Sequence, residues 1–326
     1  MSLAEFDLID RLRARAGARA DVVLGIGDDA ALLAPPPGEQ LAVTADTLNG
    51  GVHFPAETTP FDIGWKALAV NLSDLAAMGA EPRWVTLSLS LPGSDPAWLD
   101  GLADGLFALA GAHAVALVGG DTTRGPLSIS ITAMGSVPAG QALRRDGARA
   151  GDQVWISGVP GEAALALALW QQGELDVAAP ADDPAREAVR LRLCRPSPRL
   201  ALGLGLRGIA SAAIDVSDGL GADLGHLCRR SGVAAQLQLA ALPRSPALDA
   251  LAPGERAWPL QAGGGDDYEL CFTAAPERQA QVLAAARAAG VAVACIGAIE
   301  AGQGVRWSDP DGGPWQPSRA GFDHFR

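Results

Sequence analysis

Five stretches of this chain share one local grammar: an apolar run stops, small residues follow, and an aspartate appears. They are Gly25-Ile26-Gly27-Asp28-Asp29, Val43-Thr44-Ala45-Asp46-Thr47, Val118-Gly119-Gly120-Asp121-Thr122, Ile214-Asp215-Val216-Ser217-Asp218-Gly219 and Gly263-Gly264-Gly265-Asp266-Asp267. Taken singly, each reads as a turn or a helix N-cap. Asp218, just before a helical pattern, is an N-cap candidate, and Asp28 or Asp29 could be another. Taken together they suggest a different chemistry. Hard oxygen ligands at strand ends suit Mg²⁺, which binds through a few carboxylates plus substrate phosphates. Flanking glycines let a phosphate approach the backbone closely. Asp74 adds a carboxylate on the polar side of a helix, and Asn71 lies one turn earlier on the same side. The chemistry this implies is metal-assisted phosphoryl transfer.

Other chemistries find no support in the residues. A P-loop needs Gly-Lys-Ser/Thr, and the only lysine, Lys66, sits in Gly64-Trp65-Lys66-Ala67. The histidines, His53, His113, His226 and His324, are scattered, and no His-Glu-x-x-His, Gly-x-Ser-x-Gly or His-Arg-Asp string occurs. Gly203-Leu204-Gly205-Leu206-Arg207-Gly208 matches a dinucleotide fingerprint by letter but lies inside a helical pattern. The net charge of −12 argues against binding nucleic acid or an anionic membrane through bulk charge. Cys194, Cys228, Cys271 and Cys295 form no C-x-x-C pair and sit in apolar patterns, as small buried thiols do. The N-terminus lacks the basic and apolar regions of a signal peptide, and no uncharged run is long enough to span a bilayer. A cytoplasmic enzyme is expected.

The elements that must position these aspartates can be read from pattern. With 326 residues the chain exceeds one comfortable core, so about two domains are expected. Strands are predicted at Leu41–Ala45, Trp84–Leu89, Val115–Val118, Leu127–Val137, Gln153–Ser157, Ala212–Val216, Tyr268–Thr273 and Val291–Ile299, rich in Val, Ile and Leu and bounded by Gly or Pro. Thr59-Pro60-Phe61-Asp62 opens a helix with a cap, a proline at its first position and an early acid. Its stripe runs through Leu68, Leu72 and Leu75 to Gly79. Asp95-Pro96 opens a second helix. Further helices are predicted at Gly161–Gln172, Pro184–Cys194, Arg199–Leu206, Gly219–Ser231 and Pro276–Ala289. The loop-like stretch from Val137 to Asp152 divides the chain into domains of residues 1–140 and 141–326. Strands and helices mix in both, so the class is α/β or α+β.

At this point the residues carry a resemblance. The strings Gly25–Ala30, Lys66–Ala80, Gly119–Gly125, Ile214–Leu220 and Gly265–Leu270 resemble the thiamine-monophosphate kinase family, in order and over essentially the whole chain as far as Gly321-Phe322-Asp323-His324-Phe325. The string Lys66–Ala80 is the most diagnostic. The wider superfamily, with aminoimidazole ribonucleotide synthetase and selenophosphate synthetase, shares the Gly-Gly-Asp pattern without these strings in full. The resemblance implies an aminoimidazole ribonucleotide synthetase-like fold: an N-terminal α/β domain that binds ATP and magnesium and forms a homodimer, and a C-terminal α+β domain that completes the active site. It implies ATP and thiamine monophosphate as substrates and several Mg²⁺ ions. It implies magnesium ligands at Asp29, Thr44, Asp46, Asp74, Asp121, Asp215 and Asp218, with Asp74, Asp121 and Asp218 central to catalysis. It implies ATP contacts at Gly120, Asp121, Arg145 and Ser217, and thiamine-phosphate contacts at His53, Asp266 and Phe322. The roles of Asp28 and Asp267 stay open.

This reading answers a charge problem. ATP and a phosphate monoester repel each other, and aspartates alone would add to the repulsion. Divalent cations held by those aspartates reverse the local sign. The acceptor phosphate, with a second pKa near 6, is already largely ionised, so no dedicated base is required. Catalysis reduces to in-line positioning and charge stabilisation. Two alternatives remain: another ATP-dependent enzyme of the superfamily, such as aminoimidazole ribonucleotide synthetase, and a non-catalytic metal- or nucleotide-binding protein.

Overall fold

The computed structural model describes residues 5–17, 19–317 and 321. The chain divides into two compact units, Met1–Leu75 with Ala80–Gly140 and Ala76–Gly79 with Gln141–Arg326. Among the described residues no helix is long and apolar enough to cross a membrane.

The first unit runs α1 (Glu5–Arg15), β1 (Val22–Leu24), β2 (Leu32–Leu33), β3 (Glu39–Asn49), α2 (Pro60–Ala77), β4 (Glu81–Leu91), α3 (Pro96–Ala112), β5 (Ala116–Arg124) and β6 (Ser128–Pro138). Four strands form a sheet in the order β3-β6-β4-β5. β6 is antiparallel to both neighbours, and β4 and β5 are parallel, joined through α3 as parallel pairing requires. On β4, Val85, Leu87, Leu89 and Leu91 are buried while Ser88 between them is exposed, the period-2 signature of a sheet with one covered face. The helix punctuation acts as the sequence suggests. The Thr59 hydroxyl accepts from the Asp62 amide at 3.1 Å. The Asp95 carboxylate accepts from the Ala97 amide at 3.0 Å.

The second unit runs β7 (Gln153–Ser157), α4 (Glu162–Gln171), α5 (Pro184–Cys194), α6 (Leu200–Gly205), β8 (Ala212–Val216), α7 (Leu220–Ser231), β9 (Ala234–Gln238), α8 (Pro246–Leu251), α9 (Trp258–Gly263), β10 (Glu269–Ala274), α10 (Gln279–Ala289), β11 (Val293–Glu300), β12 (Gly304–Ser308) and β13 (Pro314–Trp315). Its sheet has the order β13-β12-β9-β11-β7-β10-β8. One core joins Val154, Ile156, Ile214 and Val216 of the sheet to Leu220, Leu224 and Leu227 of α7. Each such leucine contributes about 1.5–3 kcal/mol by leaving water. A second core packs α4, α5 and α8 through Ala166, Leu169, Val189, Leu193 and Leu248. The dinucleotide-like glycine string begins inside α6, which rules it out as a strand-to-helix phosphate loop. Cys194, Cys228 and Cys271 are buried and Cys295 is half-buried, and none of the four is in a disulfide; burial pushes the Cys228 thiol up to about 11.

The sequence pattern predicts no α1, β9 or β12. α1 is short and highly charged, and its arginines pair with Asp100, Arg11 at 2.7 Å and Arg15 at 2.8 Å. β9 and β12 lie in alanine- and glycine-rich sequence whose strand character comes from pairing with each other and, for β9, with β11. That is tertiary context overriding weak local preference.

Candidate active site

In the first unit β3 and α2 bring three of the expected ligands together. β3 alternates, so Thr44, Asp46 and Leu48 share one side and Val43, Ala45 and Thr47 the other. The Thr44 hydroxyl donates to Asp74 Oδ2 at 2.5 Å. Asn71, one turn earlier on α2 and fully buried, accepts from the Asp46 amide at 3.1 Å and donates to the Ala67 carbonyl at 3.0 Å. The i,i+3 spacing of Asn71 and Asp74 thus brings an amide and a carboxylate of α2 against the same strand, β3. Thr44, Asp46 and Asp74 present hard oxygen donors, the set that fits Mg²⁺.

The other expected residues of this unit lie on other elements. Asp121 lies on β5, at the sheet edge opposite β3, about 14 Å away at normal strand spacing. Its register row is Thr47–Ser130–Ser88–Asp121, and the row through Asp46 ends at Gly120. Gly120 has no room for a side chain, because a Cβ there would overlap the Leu87 carbonyl. Asp29 lies in the turn between β1 and β2, where its amide donates to Asp28 Oδ1 at 2.9 Å. No helix follows, so neither Asp28 nor Asp29 is a helix cap. His53 lies in the turn after β3. Its Nδ1 accepts from the Asn49 amide at 2.9 Å, which assigns the ring proton to Nε2. Lys66 is buried and donates to the His53 carbonyl at 3.2 Å. The sole lysine therefore supports the turn. A cavity of about 580 Å³ opens beside Leu91, Asp95, Trp98 and Leu127.

In the second unit the turn after β8 and the turn before β10 are joined. Asp215 is buried at 4% exposure on β8, paired in register with Leu270. Ser217, Asp218 and Gly219 follow. The Asp266 amide donates to the Ser217 carbonyl and the Tyr268 amide to the Val216 carbonyl, both at 2.8 Å. Asp266 and Tyr268 have φ values of 68° and 50°, a left-handed conformation that costs non-glycine residues energy and persists only where surroundings enforce it. The Tyr268 hydroxyl donates to Asp266 Oδ1 at 3.0 Å, fixing that carboxylate's direction. Gly219 has φ 122°, and a Cβ there would meet the Gly263 backbone. Gly321 packs beside the Asp218 carbonyl and Ala222. Phe322 lies outside the described residues.

Asp218 is not the helix cap its position suggests. The cap of α7 is Gly219. Asp223, in the first turn, accepts through one oxygen from the amides of Ser217, Asp218 and Gly219 at 3.0, 3.0 and 3.1 Å. Burial, reinforced by the charge of Asp218, pushes the Asp223 carboxyl up to about 7 against these three donors. Asp223 escaped the sequence reading; an acid in a first turn just after a glycine is the only signal it leaves. Arg145 is exposed in the stretch before β7, with its carbonyl accepting from Ser231 Oγ at 2.8 Å. His226 contacts Arg229 at 2.7 Å. Burial, then the charges of Arg229 and Arg145, lower the His226 imidazole while Asp218 opposes them, so Arg145 and Asp218 lie within electrostatic reach of one residue.

Asp267 has a different role from Asp266. It is buried, and its Oδ2 accepts from the Gly161 amide at 2.8 Å. Glu269, fully buried, anchors the same region. It takes a fork from Arg199 at 2.7 and 2.5 Å, a bond from Ser157 at 2.5 Å and another from Arg192. Burial works to raise the Glu269 carboxyl, but Arg199 and Arg192 outweigh it and hold it low. Among the described residues no three His, Cys, Asp or Glu side chains are gathered as a ready metal cage.

The N-terminal domain model of AIR synthase related protein matches residues 27–137, and its C-terminal domain model matches residues 149–308. The thiamine-monophosphate kinase of Escherichia coli K12 is 45% identical over 329 residues, covering 100% of this chain and 99% of its own. The crystal structure of thiamine-monophosphate kinase from Stenotrophomonas maltophilia K279a superposes with a TM-score of 0.89 at 59% identity, covering 96% of this chain and 98% of that one. AaThiL, complexed with AMPPCP and TMP, superposes with a TM-score of 0.79 at 31% identity, covering 100% of this chain and 99% of its own. Likeness of this degree, end to end, in a chain whose oxygen-lined turns match the expected strings, establishes that it belongs to the thiamine-monophosphate kinase family.

Proposed function

We propose that this protein transfers the terminal phosphoryl group of ATP to thiamine monophosphate, giving thiamine diphosphate and ADP by direct in-line transfer. The observation that carries this reading is the full-length likeness to thiamine-monophosphate kinases, one of them a neighbour holding an ATP analogue and TMP. The oxygen chemistry of the turns supports it. In the first unit Thr44, Asp46 and Asp74 are the core magnesium ligands, with Asp29 and Asp121 as further ones; in the second, Asp215 and Asp218 serve. Magnesium, when bound, neutralises phosphate charge and holds the reacting groups in line. Asp74, Asp121 and Asp218 carry the catalytic weight of that ligand set.

The chain's own residues do the remaining work. Gly120 and Ser217 let ATP phosphates approach the backbone, and Arg145 pairs with phosphate charge. His53 and Phe322 contact thiamine monophosphate. Asp266, its carboxylate oriented by Tyr268, meets the cationic thiazolium. No side chain needs to act as base, because the acceptor phosphate is already ionised near neutral pH.

The proposal extends to assembly and location. β3 is an edge strand, and Leu41 and Val43 on its outer face are 50% and 59% exposed. Exposed apolar pairs on a strand edge invite a partner, and a second copy of this chain is the partner proposed, giving a homodimer in the cytoplasm.

The direct test follows the label. With terminally labelled ATP, Mg²⁺ and thiamine monophosphate, label should appear in thiamine diphosphate, should vanish with a chelator, and should return with Mg²⁺. Label released only as inorganic phosphate would sink the reading, and transfer that persists in chelator would sink its metal requirement.

A further inference from the structure

We infer that Asp223 is a positioning residue of the second unit's site, one that sets the directions in which Ser217 and Asp218 leave the backbone. The inference rests on the kinase reading of those two residues. Its geometric ground is unusual concentration. A single oxygen, Asp223 Oδ2, accepts from three successive amides, those of Ser217, Asp218 and Gly219. Three consecutive N–H groups can converge on one point only if the chain curls around it, as in an anion-binding nest. Here the acceptor oxygen is supplied internally by α7.

The curl is gripped from its other side as well. The Ser217 carbonyl accepts from the Asp266 amide at 2.8 Å, and Gly219, at φ 122°, lies against Gly263. Asp223 is itself buried, at 4% exposure, on α7, where Leu220 and Leu224 are fully buried. Partners that orient a ligand without touching the metal commonly change affinity or activity 10- to 100-fold when removed.

The test compares the wild-type chain with Asp223→Ala and Asp223→Asn, each first checked for folding by thermal melting. Asparagine keeps an acceptor oxygen in place, and alanine removes it. ADP release is followed against Mg²⁺ concentration, and amide hydrogen exchange is followed over residues 212–224. The expected result for Asp223→Ala is a fall in kcat and a rise in half-saturating Mg²⁺, each by about 10-fold or more. Exchange at 217–219 should be faster. Asp223→Asn should fall between alanine and wild type on all three readouts. A folded Asp223→Ala with wild-type Mg²⁺ dependence and exchange would overturn the inference. So would an Asp223→Asn variant as impaired as alanine but with wild-type exchange, since that pattern points to charge rather than position. If alanine prevents folding, Asp223→Asn decides alone: slower turnover with faster exchange supports the role, and no change in either overturns it. Failure of the kinase reading is separable, because wild type would then release no ADP with thiamine monophosphate while the exchange comparison still reports on the turn.

Discussion

Thr44 and Asp74 meet across 30 residues of sequence at 2.5 Å, a contact within the proposed ligand set. One short hydroxyl–carboxylate bond fixes both oxygens before any cation arrives, which lowers the ordering needed on binding. Asp74→Asn, or Asp218→Asn in the second unit, should lower kcat by roughly 10²-fold through loss of charge at the transferring group. Steady-state assays on folded variants check this, and near-normal turnover in both would contradict the ligand assignment. Asp267 behaves differently. Burial first, with Glu269 adding to it, raises its carboxyl well above the usual range, although Gly161 and Arg192 pull the other way. One of its oxygens, Oδ1, is buried without a hydrogen-bond partner. A raised folded pKa contributes stability below the unfolded value of about 3.9, and that contribution is lost as pH rises toward the folded value. Asp267→Asn should therefore gain Tm relative to wild type between about pH 5 and about pH 8. Glu269 has the opposite shift, so its contribution is already complete across that window. Melting curves at several pH values check the sign. At this scale residue types were legible in the sequence: carboxylates after small residues suggested the metal chemistry that is proposed here. Asp223 was not, because its partners are amides, which every residue carries.

Helices and strands convert those residues into a geometry, and most of them could be anticipated. Gln153–Ser157, Ala212–Val216 and Pro184–Cys194 fall where apolar runs and Asp-Pro punctuation place them. Glycines at 232 and 290 close α7 and α10 in the left-handed conformation, with φ 70° and 65°. What the pattern could not supply was sheet order. β5 ends up an edge away from β3, so Asp121 and Asp46 lie on opposite sides of the same sheet. Their separation depends on β6 and β4 inserting between them, a long-range choice no local window contains. β5 also packs its backbone closely against β4. Gly120→Ala would drive a methyl into the Leu87 carbonyl, and overpacking of that kind costs about 1–3 kcal/mol. The expected outcome is a lower denaturation midpoint together with weaker ATP binding, since the β4–β5 pairing that carries Asp121 must splay. Denaturant titration and ATP binding on the same sample check it, and an unchanged midpoint would contradict the close packing.

For the molecule as a whole, acidity and phosphate chemistry must be reconciled. A chain with net charge −12 and a single, buried lysine offers little bulk positive charge to two phosphorylated substrates. In the proposed function, cations held by its own aspartates would reverse the local sign instead. The two units each contribute turns of the same Gly/Asp grammar, and the family models match one in each half of the chain. The outer face of β3 adds an assembly prediction. Val43→Asp should convert a dimer into a monomer in sedimentation, since burying an unpaired charge opposes association; a wild type that sediments as a monomer would contradict the homodimer. The most direct test of the central claim is ADP release in Mg²⁺ and ATP with three acceptor conditions: thiamine monophosphate, thiamine, and none. ADP is expected only with thiamine monophosphate. Equal release with thiamine, or without any acceptor, would contradict it.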